Sequence, residues 1–545
     1  MSEKDNSRKV VADVMDVSFR TFKKAITHMK TIKNYILIGI VLLFGAGCDK
    51  DFVEVNTNPY AVTDIDPALL FAGAQRTHLG TWAAEHTIVQ QFVNPYNQGA
   101  TLGFNFNEDI DGVSSPKWNQ SYPTTIRSMV RAIELLGEDT ERVNLLSMLR
   151  IWKAQTFMGL VDEYGNVPYF EAGKAISGTF YPAYDDDMAI YEDLETELRE
   201  AIAALNPSAD YVAADLFYGS NAENATSNAA DQVAKWRKLG NSLLLRLGMR
   251  YSKVNPTLAQ SIVADAFAGG VMTSNADNAY VKYDGTLYVQ DENNNLRNFS
   301  YFYYAAEPFV DQLKSTNDPR GKFILANFDD PASVANDMDP DTDLANQYGV
   351  PVGVISGDLA NDSTLSYRGG REGGLNYSQI NIWTVASPSA PDFYVTYAQT
   401  SLLLAEAAVK GWVSGTAQTY YENAIRANME DYSLYPGTTP VSEAEIVSYL
   451  THAEVAYNAT DALELINTQY WIVNLRNGTE AYANFKRSGF PALSPNLFNN
   501  NLGGGFARRM SYPDREASAN AENYAAAATA IGGDNLTGRV FWDVQ

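Results

Sequence analysis

The chain holds 545 residues, 46% of them hydrophobic and 19% charged, which is enough apolar material for a sizeable core and excludes wholesale disorder. Lys and Arg number 40 against 65 Asp and Glu, a net charge of −25; a surface this acidic repels phosphate backbones and excludes a general nucleic-acid binder. A single cysteine, Cys48, leaves no intrachain disulfide and no cysteine-rich metal centre, and the four histidines (His28, His78, His86 and His452) form no HExxH pair. Aromatic residues reach 12%, a surplus that must sit in the core or on a recognition surface.

The first element in chain order is the apolar run Tyr35–Phe44, YILIGIVLLF. It is about half the length of a membrane-spanning helix but suits the apolar centre of a signal peptide. Lys30 and Lys33 precede it, and Gly45, Ala46 and Gly47 lead into Cys48. This order resembles a bacterial lipoprotein signal, although Gly45 stands where Leu is usual. Residues 1–47 then form a signal peptide, Cys48 carries the lipid, and residues 48–64 are a lipidated tether. The competing reading is a buried free cysteine after a short core helix. Met29 opens a shorter start of ordinary signal length. Asp49-Lys50-Asp51 resembles the Bacteroidetes signal that sends lipoproteins to the cell surface.

Beyond the tether, apolar residues recur at helical spacing. Ile126, Met129, Val130, Ile133 and Leu136 share one face, and Leu145, Leu149, Trp152 and Leu160 repeat the pattern. Further pairs are expected over 186–205 with 231–253, 392–412 with 416–432, and 442–450 with 460–476. Paired amphipathic helices of this length predict a mainly α, tetratricopeptide-like helical-repeat scaffold within a single domain, 65–545. A large loop-rich insertion, about 255–390, is dense in Asn, Asp, Gly and Tyr, with a few short alternating pieces such as Ala279–Tyr283. Two more loop-rich stretches are expected, Leu79–Ser121 and the tail from about 488.

Several motifs then fall in order. They are Asn56-Thr57-Asn58-Pro59, Tyr164-Gly165-Asn166-Val167-Pro168-Tyr169, and Tyr181–Asp185. The helix Trp236–Arg250 (WRKLGNSLLLRLGMR) follows, and then Leu404-Ala405-Glu406-Ala407-Ala408. Arg487-Ser488-Gly489-Phe490-Pro491 and Arg508-Arg509-Met510-Ser511-Tyr512-Pro513 close the series. In this order the chain resembles the SusD/RagB family of Bacteroidetes outer-membrane lipoproteins, in its levan- and laminarin-type branch. The resemblance implies a surface-exposed, lipid-anchored outer-membrane protein that binds oligosaccharide or polysaccharide without cleaving it. It also implies a SusC-like TonB-dependent transporter barrel as partner. A peptide ligand is the alternative the family allows, with a protein scaffold or a glycoside hydrolase behind it.

Sugar rings present apolar C–H faces and a rim of hydroxyls, so aromatic faces beside short polar or charged side chains suit them. The loop-rich stretches supply both. Trp82, flanked by Gly80, Thr81, Ala83 and Ala84, is the first expected stacking platform, with Glu85 and His86 beside it and Tyr96 and Asn97 shortly after. Tyr303 and Tyr304 lie in an aromatic run, and Arg368, Arg371 and Trp383 follow. Trp152, Trp236, Trp412 and Trp471 sit among Leu, Ile and Val and read as core. Arg246, Arg250 and Glu406 on apolar helices read as charges paired between stacked helices.

Asp337, Asp339, Asp341 and Asp343 alternate as in a calcium loop, but no Gly stands at the sixth position and Tyr348 occupies the place of the bidentate Glu. They read as a solvated acidic loop, with a calcium site as the weaker alternative and no other metal or cofactor expected. No GxSxG elbow, Walker loop or GxGxxG is present to carry a catalytic reading.

Overall fold

The computed structural model describes residues 65–76, 84–96, 109–137, 139–360, 367–496 and 501–544. The chain divides into two units, Met1–Ile65 and Asp66–Gln545. Cys48, the apolar run, the tether, Trp82 and Asn97 all lie outside the described residues.

The second unit is mainly helical. α1 (Pro67–Gln75) starts at Asp66, whose carboxylate accepts the Ala68 N–H, with Pro67 in the first turn. α2 (Arg127–Leu136) and α3 (Val143–Tyr164) each stop at a glycine of positive φ, Gly137 and Gly165. α4 (Asp187–Ala204) is capped by Asp186, α5 (Ala229–Arg250) by Asn228 and α6 (Pro256–Gly269) by Asn255. α7 (Tyr397–Val409) and α9 (Glu443–Leu450) carry full capping boxes, Thr396 with Gln399 and Ser442 with Glu445. α8 (Ala417–Asp431) lies between them, and α10 (Ala462–Val473), α11 (Gly478–Ser488) and α12 (Ala521–Ala530) follow.

The scaffold is the expected helical stack, with changes in partner. α3 packs on α4, α5 on α6 and on α4, and α7 on α8 and α10. α5 thus keeps its expected partner α4 and also packs on a helix at the start of the stretch read as loop-rich. Ala259, Ile262, Val263 and Ala266 of α6 are buried at i, i+3, i+4 and i+7, between Asn255-Pro256 and Gly269-Gly270. The third pair also begins later than expected, because Asp392–Val395 is a strand and Thr396 caps the helix after it. α11 and α12 are helices in or next to stretches read as irregular.

Charged groups lock the stack from inside, as expected for Arg246, Arg250 and Glu406. Arg250 lies 3.1 Å from Asp162 and 2.7 Å from Glu480, and Arg246 reaches Glu480 at 3.5 Å. Trp152 and Trp236 are fully buried and Trp471 nearly so, whereas Trp412, just past the end of α7, is only half-buried.

From about 275 to 395 the chain forms short strands. β1 (Phe92–Val93), β3 (Tyr304–Ala305), β7 (Gln379–Ile380) and β4 (Leu325–Ala326) make one antiparallel sheet in that order. β2 (Ala279–Val281) pairs with β8 (Asp392–Val395), and β5 (Gly370–Arg371) with β6 (Gly374–Leu375). A second apolar cluster (Val93, Tyr304, Ala306, Val350, Leu359, Leu375 and Tyr377) sits beside the sheet, apart from the main core.

Candidate functional site

The sheet gathers several of the expected residues. Val93 of β1 is in register with Tyr304 of β3, and Tyr304 with Gln379 of β7. The β5–β6 hairpin lies over this surface. The Leu375 N–H donates to the Tyr304 phenol oxygen at 3.1 Å, and a Cβ on Gly374 would meet that oxygen at 2.6 Å, so only glycine lets the hairpin come this close. Tyr96 packs against the same cluster, half-buried, its ring 6.4 Å from both Tyr304 and Phe302.

Arg368 is exposed just before the hairpin. Its guanidinium stacks 3.4 Å from the ring centre of Tyr348, and the Lys314 ammonium lies 3.8 Å from the same ring. Two cations this close to one centroid must occupy opposite faces, so Tyr348 is sandwiched. Arg371 on β5 donates to the Asn327 side chain and sits 3.6 Å from Asp329. The Asp329 N–H donates to Asp337 at 2.9 Å, and the Asp337 carbonyl accepts the Trp383 indole N–H at 2.8 Å. Arg297 lies 4.7 Å over the Trp383 ring. Arg371 and Trp383 are therefore joined through two aspartates into one half-buried, polar-edged surface.

Other expected residues point elsewhere. Tyr304 is fully buried, its ring built into the second cluster, so the structure corrects its reading as a ligand-facing side chain. Its neighbour Tyr303 turns to the opposite face, as strand alternation requires, and packs half-buried against the main core. Glu85 is a second correction, being only 2% exposed and set in the core against Gly478 rather than beside a ligand. Burial first, and the neighbouring Glu163 second, push its carboxyl well above the usual range. His86 next to it is also buried, which drives its imidazole down to about 3; its Nδ1 is 2.6 Å from Gln91 Oε1.

Three of the four aspartates in the run 337–343 spend their carboxylates on nearby backbone N–H groups. Asp337 accepts from Asp329 N–H and Asp339 N–H, Asp341 from Asp343 N–H, and Asp343 from Ala345 N–H. Among the described residues no group of three or more His, Cys, Asp or Glu side chains could hold a metal ion.

A SusD-like family model, described as "Starch-binding associating with outer membrane", matches residues 59–513. The chain belongs to the SusD-like family. A solved chitin-binding protein is 28% identical, with a TM-score of 0.73 over 88% of this chain and all of that one. A Bacteroidetes SusD-like structure is 26% identical, with a TM-score of 0.75 over the same shares. A chitin-binding SusD homologue from Flavobacterium johnsoniae shares the fold at 20% identity, with a TM-score of 0.68 over 88% of this chain and 98% of that one. None of the curated proteins compared with the chain matches it.

Within this SusD-like fold, sequence reasoning missed Tyr348, Lys314 and Arg297 as parts of the candidate surface. Tyr348 drew notice only as a failed calcium ligand. Its partners lie 20 to 34 residues away in the chain, and no local pattern links them. Among the described residues no helix is long and apolar enough to cross a membrane.

Proposed function

We propose that this SusD-like chain is a cell-surface glycan-binding lipoprotein. It captures oligosaccharides and passes them to a SusC-like TonB-dependent transporter barrel, and it does not cleave them. The observation that carries this reading is the surface formed by Tyr96, Arg368, Arg371 and Trp383 around the small sheet. It offers half-buried aromatic rings beside guanidinium groups, the pairing that sugar C–H faces and hydroxyls require. Trp82 and Asn97, which lie outside the described residues, are proposed as further ligand contacts. Family membership supports the reading, and the chitin-binding neighbour at 28% identity makes a chitin-type oligosaccharide the first ligand to try.

Attachment to the outer membrane through a lipid on Cys48 completes the proposal. The test is a binding panel of chitin oligosaccharides, starch, levan and laminarin fragments by calorimetry. Product analysis of the same mixtures reads any cleavage. Saturable binding of one glycan class with no new reducing ends is the expected outcome.

A further inference from the structure

A cavity of about 330 Å³ opens between the segment leading into α2, the loop joining α3 to α4, and the tail, and it shares no lining residue with the surface around Arg371 and Trp383. One wall is Trp118 and Tyr122, their ring centres 4.7 Å apart. Tyr122 belongs to a π-helical turn, Ser121–Ile126, in which Pro123 has no N–H to give a regular helix. Turns of this kind recur at functional sites.

The other wall is Phe180, which is 71% exposed. Its loop is nevertheless held firmly. The Ala183 N–H donates to Glu171 at 3.0 Å. The side-chain amides of Asn520 and Asn523 donate to the Pro182 and Tyr181 carbonyls at 2.8 and 3.0 Å. A fixed backbone thus presents a bare aromatic ring, which lowers the ordering cost of a ligand that stacks on it. The rim is polar with both signs. The Arg127 side chain is exposed at the mouth and has no hydrogen-bond or ion-pair partner among the described residues. Glu516 takes the Tyr184 hydroxyl at 2.9 Å on one oxygen, and its other oxygen has only Arg515 at 3.9 Å.

We propose that this cavity is a second glycan-contact site, in which one sugar ring stacks between Phe180 and Tyr122. Arg127 donates to its hydroxyls and Glu516 accepts from them. Donors and acceptors of both signs around aromatic rings suit the C–H faces and hydroxyls of a polyol. The inference rests on the glycan-binding reading and adds to it that one polymer touches the protein at two separate places, gaining avidity.

The test is affinity electrophoresis of the detergent-solubilised full chain through gels of glycol chitin, starch, levan or laminarin. Phe180→Ala, Arg127→Ala, Trp383→Ala and the double variant Phe180→Ala/Trp383→Ala are run beside wild type, with melting curves as a folding control. A stacking contact of this kind corresponds to about 2- to 12-fold in affinity. Phe180→Ala and Arg127→Ala should each weaken retention by that order with unchanged melting. The double variant should lose more than either single one. Retention of Phe180→Ala equal to wild type, in a gel where Trp383→Ala is weakened, overturns the second site alone. A wild-type protein retained in none of the four gels overturns the glycan reading and the second site with it.

Discussion

Arg487 and Glu406 form a two-pronged ion pair inside the protein, with Nη1 to Oε1 at 2.7 Å and Nη2 to Oε2 at 2.6 Å. The same Nη2 also donates to Asn484 Oδ1 at 2.7 Å. The pair ties α11 to α7 with both side chains almost wholly buried. Burial alone would raise the Glu406 carboxyl, and the Arg487 charge and hydrogen bonds more than offset this, leaving it below the usual carboxylate value. Removing one partner leaves the other charged and buried, which costs about 3–5 kcal/mol. Arg487→Met should therefore lower stability by that amount in chemical denaturation, while a joint Arg487→Met/Glu406→Leu change should recover much of it. A single variant as stable as wild type would show that the pair carries little.

Glu85 gives a pH prediction of the opposite kind. Its folded carboxyl titrates well above the usual value, for which burial is the first cause and Glu163 the second. Between the unfolded value, about 4.5, and the raised folded value, the native state holds more protons than the unfolded one. By linkage, this group then makes the protein less stable as pH rises through that window. Glu85→Gln keeps the shape and removes the ionisation. It should flatten this part of the stability–pH profile and raise stability at neutral pH, read from melts across pH 4 to 8. Identical slopes for variant and wild type would remove Glu85 as the source.

Much of the scaffold was legible because helix signals are local. The periodic faces of α2, α3 and α5 follow from spacing along one segment, and a charge on an apolar helix such as Arg250 signals a paired group, although its partners Asp162 and Glu480 lie in other helices. α6 was missed although Asn255-Pro256 and Gly269-Gly270 mark its ends, since its small residues, Ala259 and Ala266 among them, gave a weak apolar stripe. The candidate surface was legible only as composition. Arg371 and Trp383 meet through Asp329 and Asp337, and Tyr348 meets Lys314 and Arg368, contacts made by folding of strands two residues long. Glu85 misled because a carboxylate beside a loop tryptophan looks solvent-facing, whereas its four-residue helix packs into the core.

Two tryptophans should separate stability from binding. Trp236 is fully buried, its indole N–H donating to Asp215 at 2.7 Å and its ring 5.8 Å from Phe71. Trp236→Ala should cost about 3–5 kcal/mol of stability. Trp383 is half-buried at the candidate surface, and Trp383→Ala should weaken glycan affinity by roughly tenfold, a stacking term near 1.4 kcal/mol. Paired melts and titrations read both, and a Trp383 variant with wild-type affinity would take that residue out of the site.

Anchoring is tested at Cys48. Cys48→Ala should abolish lipid labelling and release the protein from the outer membrane on detergent partitioning. A variant that still partitions with the membrane would show another anchor.

The most direct measurement is calorimetric titration of the chain lacking residues 1–48 with chitin, starch, levan and laminarin oligosaccharides, with product analysis of each mixture. The account predicts saturable binding of one class, weakened by Arg371→Ala and Trp383→Ala, with the oligosaccharide recovered intact. Absence of binding to every glycan, or turnover of a bound one that persists through repurification, would contradict it.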